Sequence, residues 1–309
     1  MPKASRGGRR TATTSSPTGT TPTGQKIWTN NNGQQMVWNA ATQSFVPYQP
    51  QQQTNQPQDD DDENTLSATQ SGEENADFND FRKMTDDEKA DVIKAALQSP
   101  PPSFLPDNAS QRLLWHLGGD NKPTIVPDQQ FKSMSGAALY RQVAGVHDSK
   151  LGTNLTSQQI ANQVMTGDLT QYAQDWGAGS TGAGGGTAYG RAIYFGTDYD
   201  EIKRGYGTAR NVRGKQDSTM FACKINPQSR GMSYNALHNA VAKEVNSGSK
   251  LGRTLRGIGN SDDRATIYAL AKGIDYTYAG GWGNYHMIYN RGCLVASSKL
   301  KHNTTDSSW

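Results

Sequence analysis

The first hundred residues are mostly polar, and the apolar pattern that can build a core starts near Phe104. Beyond it, strand-sized apolar runs recur at Ala138–Val143, Ala192–Phe195, Thr219–Ile225, Tyr285–Tyr289 and Cys293–Ser297. Among them, Ile193-Tyr194-Phe195 is β-branched and aromatic, which suits a pleated, half-buried surface. Helical signals sit between and before these runs. Thr85-Asp86-Asp87-Glu88 is a capping box that opens a helix over 85–98, stopped ahead of Pro100-Pro101-Pro102. Ser110–Gly118 reads as a short helix with a glycine stop, Asp200–Arg204 as a helical stretch, and Asp262–Lys272 as a helix before Gly273. The pattern predicts an α+β domain over residues 104–300.

Upstream, residues 1–25 are Ser, Thr, Pro, Gly and Arg without periodicity and are expected to lack fixed structure. Residues 26–48 carry Asn32-Gly33 between two aromatic-bearing runs, a hairpin signal, and a second turn at Asn39-Ala40-Ala41 leads into Ser44–Pro47. This small β-meander is similar to a WW-type module, from Trp28 to Pro47, and would serve as a micro-sheet or a docking peptide. Residues 49–84 read as a Gln-rich and acidic linker, with Asp59-Asp60-Asp61-Asp62-Glu63 extending by self-repulsion.

Only 33% of residues are hydrophobic, too few to bury a core along the whole length. The net charge of +3 argues against bulk electrostatic binding of nucleic acid, although Arg6, Arg9 and Arg10 form a basic tip. Two cysteines, Cys223 and Cys293, lie in apolar runs and cannot form a disulfide framework or a zinc cluster; buried reduced thiols are expected. No apolar run nears the roughly 18 residues that span a bilayer, and the N-terminus has charges without an apolar segment behind them. No membrane association or secretion signal is therefore expected.

Chemistry concentrates in two segments. Arg141, in Leu139-Tyr140-Arg141-Gln142-Val143, alternates with apolar residues on a strand. An arginine there serves either a surface ion pair or an anionic ligand, whose phosphate or ribose oxygens its fork can grip. The second segment, Trp176–Gly190, is rich in glycine without the lysine of a P-loop. It reads as a loop over a site or as a plain linker, and it feeds into Gly190-Arg191-Ala192-Ile193-Tyr194-Phe195. Gly205-Tyr206-Gly207 follows, with Tyr206 either a core tyrosine or a stacking ring.

These segments resemble the motifs of ADP-ribosyltransferases. Leu139-Tyr140-Arg141 is similar to the first core strand of that family, whose arginine or histidine holds NAD. Gln142 stands where the family has a glycine that meets the nicotinamide amide. Gly190–Phe195 is similar to the Gly-x-Gly-Ile-Tyr-Phe segment, which makes Tyr194 one wall of the nicotinamide slot and Tyr206 the second ring. Met220–Pro227 resembles the next core strand and Asn284–Asn290 the closing strand, whose family form begins Glu-Tyr. With Gln111–Pro123, the likeness extends to bacteriophage ADP-ribosyltransferase-like proteins over about residues 104–298.

The resemblance implies a split β-sheet core with flanking helices and NAD as substrate. It assigns Arg141, Gln142, Gly190, Tyr194 and Tyr206 to NAD binding. The family's catalytic glutamate falls at Asn284 or Tyr285, so either Asn284 with a displaced carboxylate such as Asp275 acts, or transferase activity is lost. Two functions follow. One is a phage-type mono-ADP-ribosyltransferase modifying a host protein or nucleic acid, packaged in the virion and acting in the host cytoplasm. The other is a non-catalytic virion protein on the same fold, docking to other virion proteins through residues 1–100.

Overall fold

The computed structural model describes residues 19–20, 26–29, 35–39, 44–47, 65–66, 72–100, 108–148, 153–167, 192–206, 217–279 and 285–302. Side chains are described within these ranges except for 19–47, 146–148, 153–155 and 204–206. The chain divides into a unit over Met1–Asp59 and a larger one over Asp60–Trp309.

In the first unit, strands β1 (Gly19–Thr20), β2 (Lys26–Thr29), β3 (Gln35–Asn39) and β4 (Ser44–Pro47) pair antiparallel in sequence order. The register sets Ile27 against Val37 and Val37 against Val46. The meander expected over 26–48 is present, with one addition. Gly19–Thr20 forms a strand inside the segment 1–25 expected to lack structure; the rest of that segment lies outside the described residues.

The larger unit begins upstream of the expected boundary at 104. Helix α1 (Ala76–Lys83) falls inside the stretch 49–84 expected to be a linker. Asn75 caps it, accepting from Phe78 N, and Phe78 and Phe81 turn one apolar face inward to full burial. Helix α2 (Asp86–Gln98) starts at the capping box read from Thr85 and Glu88, and it buries Ala90, Ile93 and Ala96 in the same core. Both helices belong to the domain rather than to a tether before it.

The chain continues through α3 (Ala109–His116), β5 (Thr124–Val126), α4 (Asp128–Ser133) and β6 (Leu139–Ala144). A hairpin of β7 (Val146–Asp148) and β8 (Thr153–Leu155) leads to α5 (Ser157–Thr166). Next come β9 (Ile193–Gly196), α6 (Tyr199–Tyr206), β10 (Ser218–Ile225) and β11 (Gly231–Ser233). Helices α7 (Tyr234–Asn246), α8 (Lys250–Arg256) and α9 (Ser261–Ala271) precede β12 (Tyr276–Tyr278) and β13 (Tyr285–Ile288). Strands β14 (Leu294–Ser297) and β15 (Lys301–His302) close the unit.

The main sheet runs β11-β12-β13-β9-β6-β10-β14-β5, with β15 also on β10. Its two end pairs are parallel and the pairs between them antiparallel. The architecture is the α+β class expected. Strand β10 is buried along nearly its whole length, which explains its almost continuous apolar run. On one face Leu139, Val143, Phe195, Phe221 and Cys223 join the main core under the helices. On the other, Val126, Ala222 and Val295 pack with Phe131 of α4. Lys224 crosses to that helix and donates from Nζ to the carbonyls of Phe131 (2.9 Å) and Met134 (2.6 Å), satisfying its C-terminal end.

Both cysteines are free and buried, and burial pushes both thiols well above their ordinary pKa. The thiolate is the reactive form. A thiol-specific reagent added to the native chain at neutral pH should therefore label neither, and both on unfolding. Rapid labelling of the native chain would show that this part of the sheet opens. Among the described residues no helix is long and apolar enough to cross a membrane.

Candidate functional site

The Arg141 strand and the Tyr194 strand are neighbours, but their ladder holds a single residue pair, Tyr140 with Gly196. The antiparallel register would next set Arg141 against Phe195 and Gln142 against Tyr194. Those pairs are absent, so β6 and β9 part just beyond Gly196. Arg141 stands at the parting, and its Nη1 donates across it to the Tyr194 carbonyl at 2.9 Å. A cation thus lies at a break in the ladder, where a backbone acceptor needs a donor.

Alternation along the strands places the Arg141 side chain on the face of Leu139 and Val143. The Tyr194 ring leaves on the opposite face, where it meets the Tyr285 ring edge-on at 6.4 Å. Arg141 thus meets the Tyr194 backbone across the parting. The ring's face also carries Tyr140 and Gln142. Gln142 Nε2 donates to Ser218 Oγ at 2.9 Å, while its Oε1 is buried without a hydrogen-bond partner among the described residues.

Helix α6 covers this face because Gly196 lets it approach. A Cβ on Gly196 would lie 2.5 Å from Ile202 Cδ1. The helix brings Tyr199, whose ring packs edge-on against Tyr140 at 5.3 Å. Lys301 Nζ of β15 lies 5.3 Å, and Lys203 Nζ 5.9 Å, from the centre of the Tyr199 ring. Two lysine ammonium groups thus approach one aromatic ring. Sequence reasoning missed Tyr199 and Lys301. Tyr199 carries no signal beyond its place after Gly196-Thr197-Asp198, and Lys301 arrives only through the pairing of β15 with β10.

The remaining expected residues divide. Tyr206 is the last residue of α6, and its side chain lies outside those described; Gly190 and Asn284 lie outside the described residues altogether. Tyr285, which follows Asn284, pairs with Gly196, so the closing strand borders the Tyr194 strand.

Asp275 is elsewhere. It sits at the start of β12, with β13 and β9 between it and β6. Its Oδ1 takes Arg82 Nη1 and Asn290 Nδ2, each at 2.8 Å, and its Oδ2 takes the Arg230 backbone N–H at 2.8 Å. A buried carboxylate so engaged braces α1 against β12 and β13, and no contact among the described residues brings it to Arg141.

One further trio merits the same test. Ser157 Oγ lies 2.5 Å from Asp217 Oδ1 and 3.3 Å from His302 Nδ1. A hydrolytic nucleophile would be exposed and bonded to the histidine, with the carboxylate behind it. Here Ser157 is fully buried and donates straight to the carboxylate, so the trio secures the start of α5. No group of three or more potential metal ligands occurs among the described residues. No protein-family model, curated protein or solved structure matches the chain.

Proposed function

We propose that the chain is an NAD-dependent mono-ADP-ribosyltransferase of the bacteriophage type, acting on a host protein or nucleic acid. The observation that carries this reading is Arg141 at the parting of β6 and β9, bonded to the backbone of Tyr194. The strands that bear the resemblance are consecutive in the sheet, in the order β13-β9-β6-β10, and this supports a split-sheet ADP-ribosyltransferase core. Motifs more than fifty residues apart in sequence thereby adjoin at one place.

In this reading the Arg141 fork grips ribose and phosphate oxygens of NAD at the parting, on the face opposite the Tyr194 ring, so the nicotinamide reaches that ring only across the parting. Tyr194 and Tyr206 flank the nicotinamide. The C1′–N bond breaks with its electron pair passing to the nicotinamide nitrogen, the acceptor's nucleophile bonds to C1′, and the acceptor gives up a proton. Delivery within the virion and action in the host cytoplasm would suit the polar first hundred residues.

The second reading, a non-catalytic virion docking protein on the same fold, draws on a different observation. The position matching the family's glutamate is Asn284 or Tyr285, neither of them acidic, and the carboxylate of Asp275 is held in the brace with Arg82. Labelled NAD incubated with host lysate separates the two. Transfer of label by the wild type, lost with Arg141→Ala, is the expected result. Equal labelling by both chains would remove Arg141 from the chemistry, and no labelling by either would favour the docking protein.

A further inference from the structure

Cations converge on the C-terminal end of α9. Arg82 of α1 donates from Nη2 to the Gly273 carbonyl at 2.8 Å, and Arg230, just before β11, donates from Nη1 to the Lys272 carbonyl at 3.1 Å. These contacts satisfy carbonyls at the end of the helix. Gly273, at φ +68°, admits both forks: a Cβ there would stand 3.3 Å from Arg82 Nη2 and 3.4 Å from Arg230 Nη1. Lys89 of α2 and Lys272 complete the group. Burial lowers the Lys89 pKa, and the charges of Lys272, Arg82 and Arg230 lower it further against the pull of Asp86.

The carboxylates beside these cations are taken. Asp275 Oδ1 pairs with Arg82 Nη1 at 2.8 Å, and Asp86 Oδ2 pairs with Lys272 Nζ at 2.6 Å. Glu244 accepts from Ser249 Oγ at 2.6 Å and lies 3.4 Å from Lys272 Nζ. Lys89 and Arg230 are left over: neither forms an ion pair among the described residues. Arg230 is exposed and spends one N–H on the Lys272 carbonyl, whereas Lys89 is 7% exposed, an ammonium on a buried stem. A charge so placed, with like charges around it, is costly until an anion joins it.

We propose that Arg230 and Lys89 hold a phosphate group carrying two negative charges, beside the Lys272-Gly273 turn. The remaining N–H groups of the Arg230 fork donate to two of its oxygens and the Lys89 ammonium to a third. Two cations are left over, and a monoanion neutralises only one of them. The exposed Arg230 side leaves the site open, so a free phosphate ion and the end of a phosphate monoester share the required chemistry. The site is built on α2 and the turns beside α9 and does not depend on the NAD reading.

Calorimetric titration and thermal unfolding of the full chain with inorganic phosphate, ribose 5-phosphate and nitrate test it, at constant ionic strength and about pH 8, where phosphate carries both charges. The phosphates should bind saturably, at least about tenfold more tightly than nitrate. Preference for ribose 5-phosphate assigns the site to a monoester, and preference for inorganic phosphate assigns it to the free ion. Arg230→Gln should weaken phosphate about tenfold or more, as loss of a charge-assisted hydrogen bond does. Lys89→Met keeps the buried stem and removes the like charge. Without phosphate it should unfold no earlier than the wild type, and it should lose most of the rise in unfolding temperature that phosphate gives the wild type. Absence of saturable phosphate binding overturns the proposal, as does equal affinity for nitrate and phosphate. So does a Lys89→Met chain that binds phosphate like the wild type, or one that unfolds markedly earlier without phosphate, since the charge would then already be compensated within the chain.

Discussion

Asp120→Ala should lower the stability of the larger unit by about 3–5 kcal/mol, the cost of breaking a buried ion pair from one side. The side chains of Asp120 and Arg291 are 0% and 2% exposed. Asp120 Oδ1 meets Arg291 Nη2 at 2.7 Å and Nε at 2.9 Å, and Oδ2 takes the Arg291 backbone N–H at 2.7 Å. Arg291 Nη1 also donates to the carbonyls of Val164 (2.8 Å) and Gly167 (3.0 Å), at the end of α5. Removing the carboxylate leaves a buried guanidinium without its counter-charge. The double replacement Asp120→Leu, Arg291→Met should recover much of the loss, because it removes both desolvation penalties together. Urea unfolding of the three chains measures this. A single-variant loss below about 1 kcal/mol, the level of an exposed pair, would mean that water reaches the site.

The second large effect concerns rate. Asn284→Glu should raise NAD hydrolysis or transfer by about two to three powers of ten, the size of one well-placed electrostatic contact to developing charge. The substitution restores an anion where the resemblance to ADP-ribosyltransferases sets a glutamate, at the residue before Tyr285, which pairs with Gly196. Asp275→Asn should instead act on stability, since it weakens the pair with Arg82 and leaves the site at Arg141 untouched. A turnover assay on folded samples separates the two variants. Activity abolished by Asp275→Asn in a chain of wild-type stability would return the catalytic role to that residue.

Five strands of the main sheet, β6, β9, β10, β13 and β14, were legible in the sequence as short apolar runs, whereas the short β5, β11, β12 and β15 were not. Ala192–Phe195 and Thr219–Ile225 fall within a residue or so of β9 and β10. The capping box at Thr85 was legible for the same local reason. Helix α1 was not, because its apolar face is only Phe78 and Phe81 in an acidic, polar stretch, and its burial depends on a core assembled from distant segments. The neighbouring Arg141 and Tyr194 strands could be anticipated from motif order. Their parting, and the opposite faces taken by the guanidinium and the ring, depend on register, which composition does not carry. The braces were out of reach for a simpler reason. Asp120 and Arg291 are 171 positions apart, and nothing local marks either as the other's partner.

Equilibrium titration of NAD into the full chain tests the central claim most directly, since it needs neither the acceptor nor a working catalytic carboxylate. Saturable binding by the wild type is predicted, weakened about tenfold or more in Arg141→Ala, the loss of roughly one charge-assisted hydrogen bond. Arg141→Lys, which keeps the charge and loses the fork, should fall between them. Circular dichroism of each variant confirms that it remains folded. A wild-type chain that does not bind NAD, or a folded Arg141→Ala chain that binds it equally well, would contradict the account.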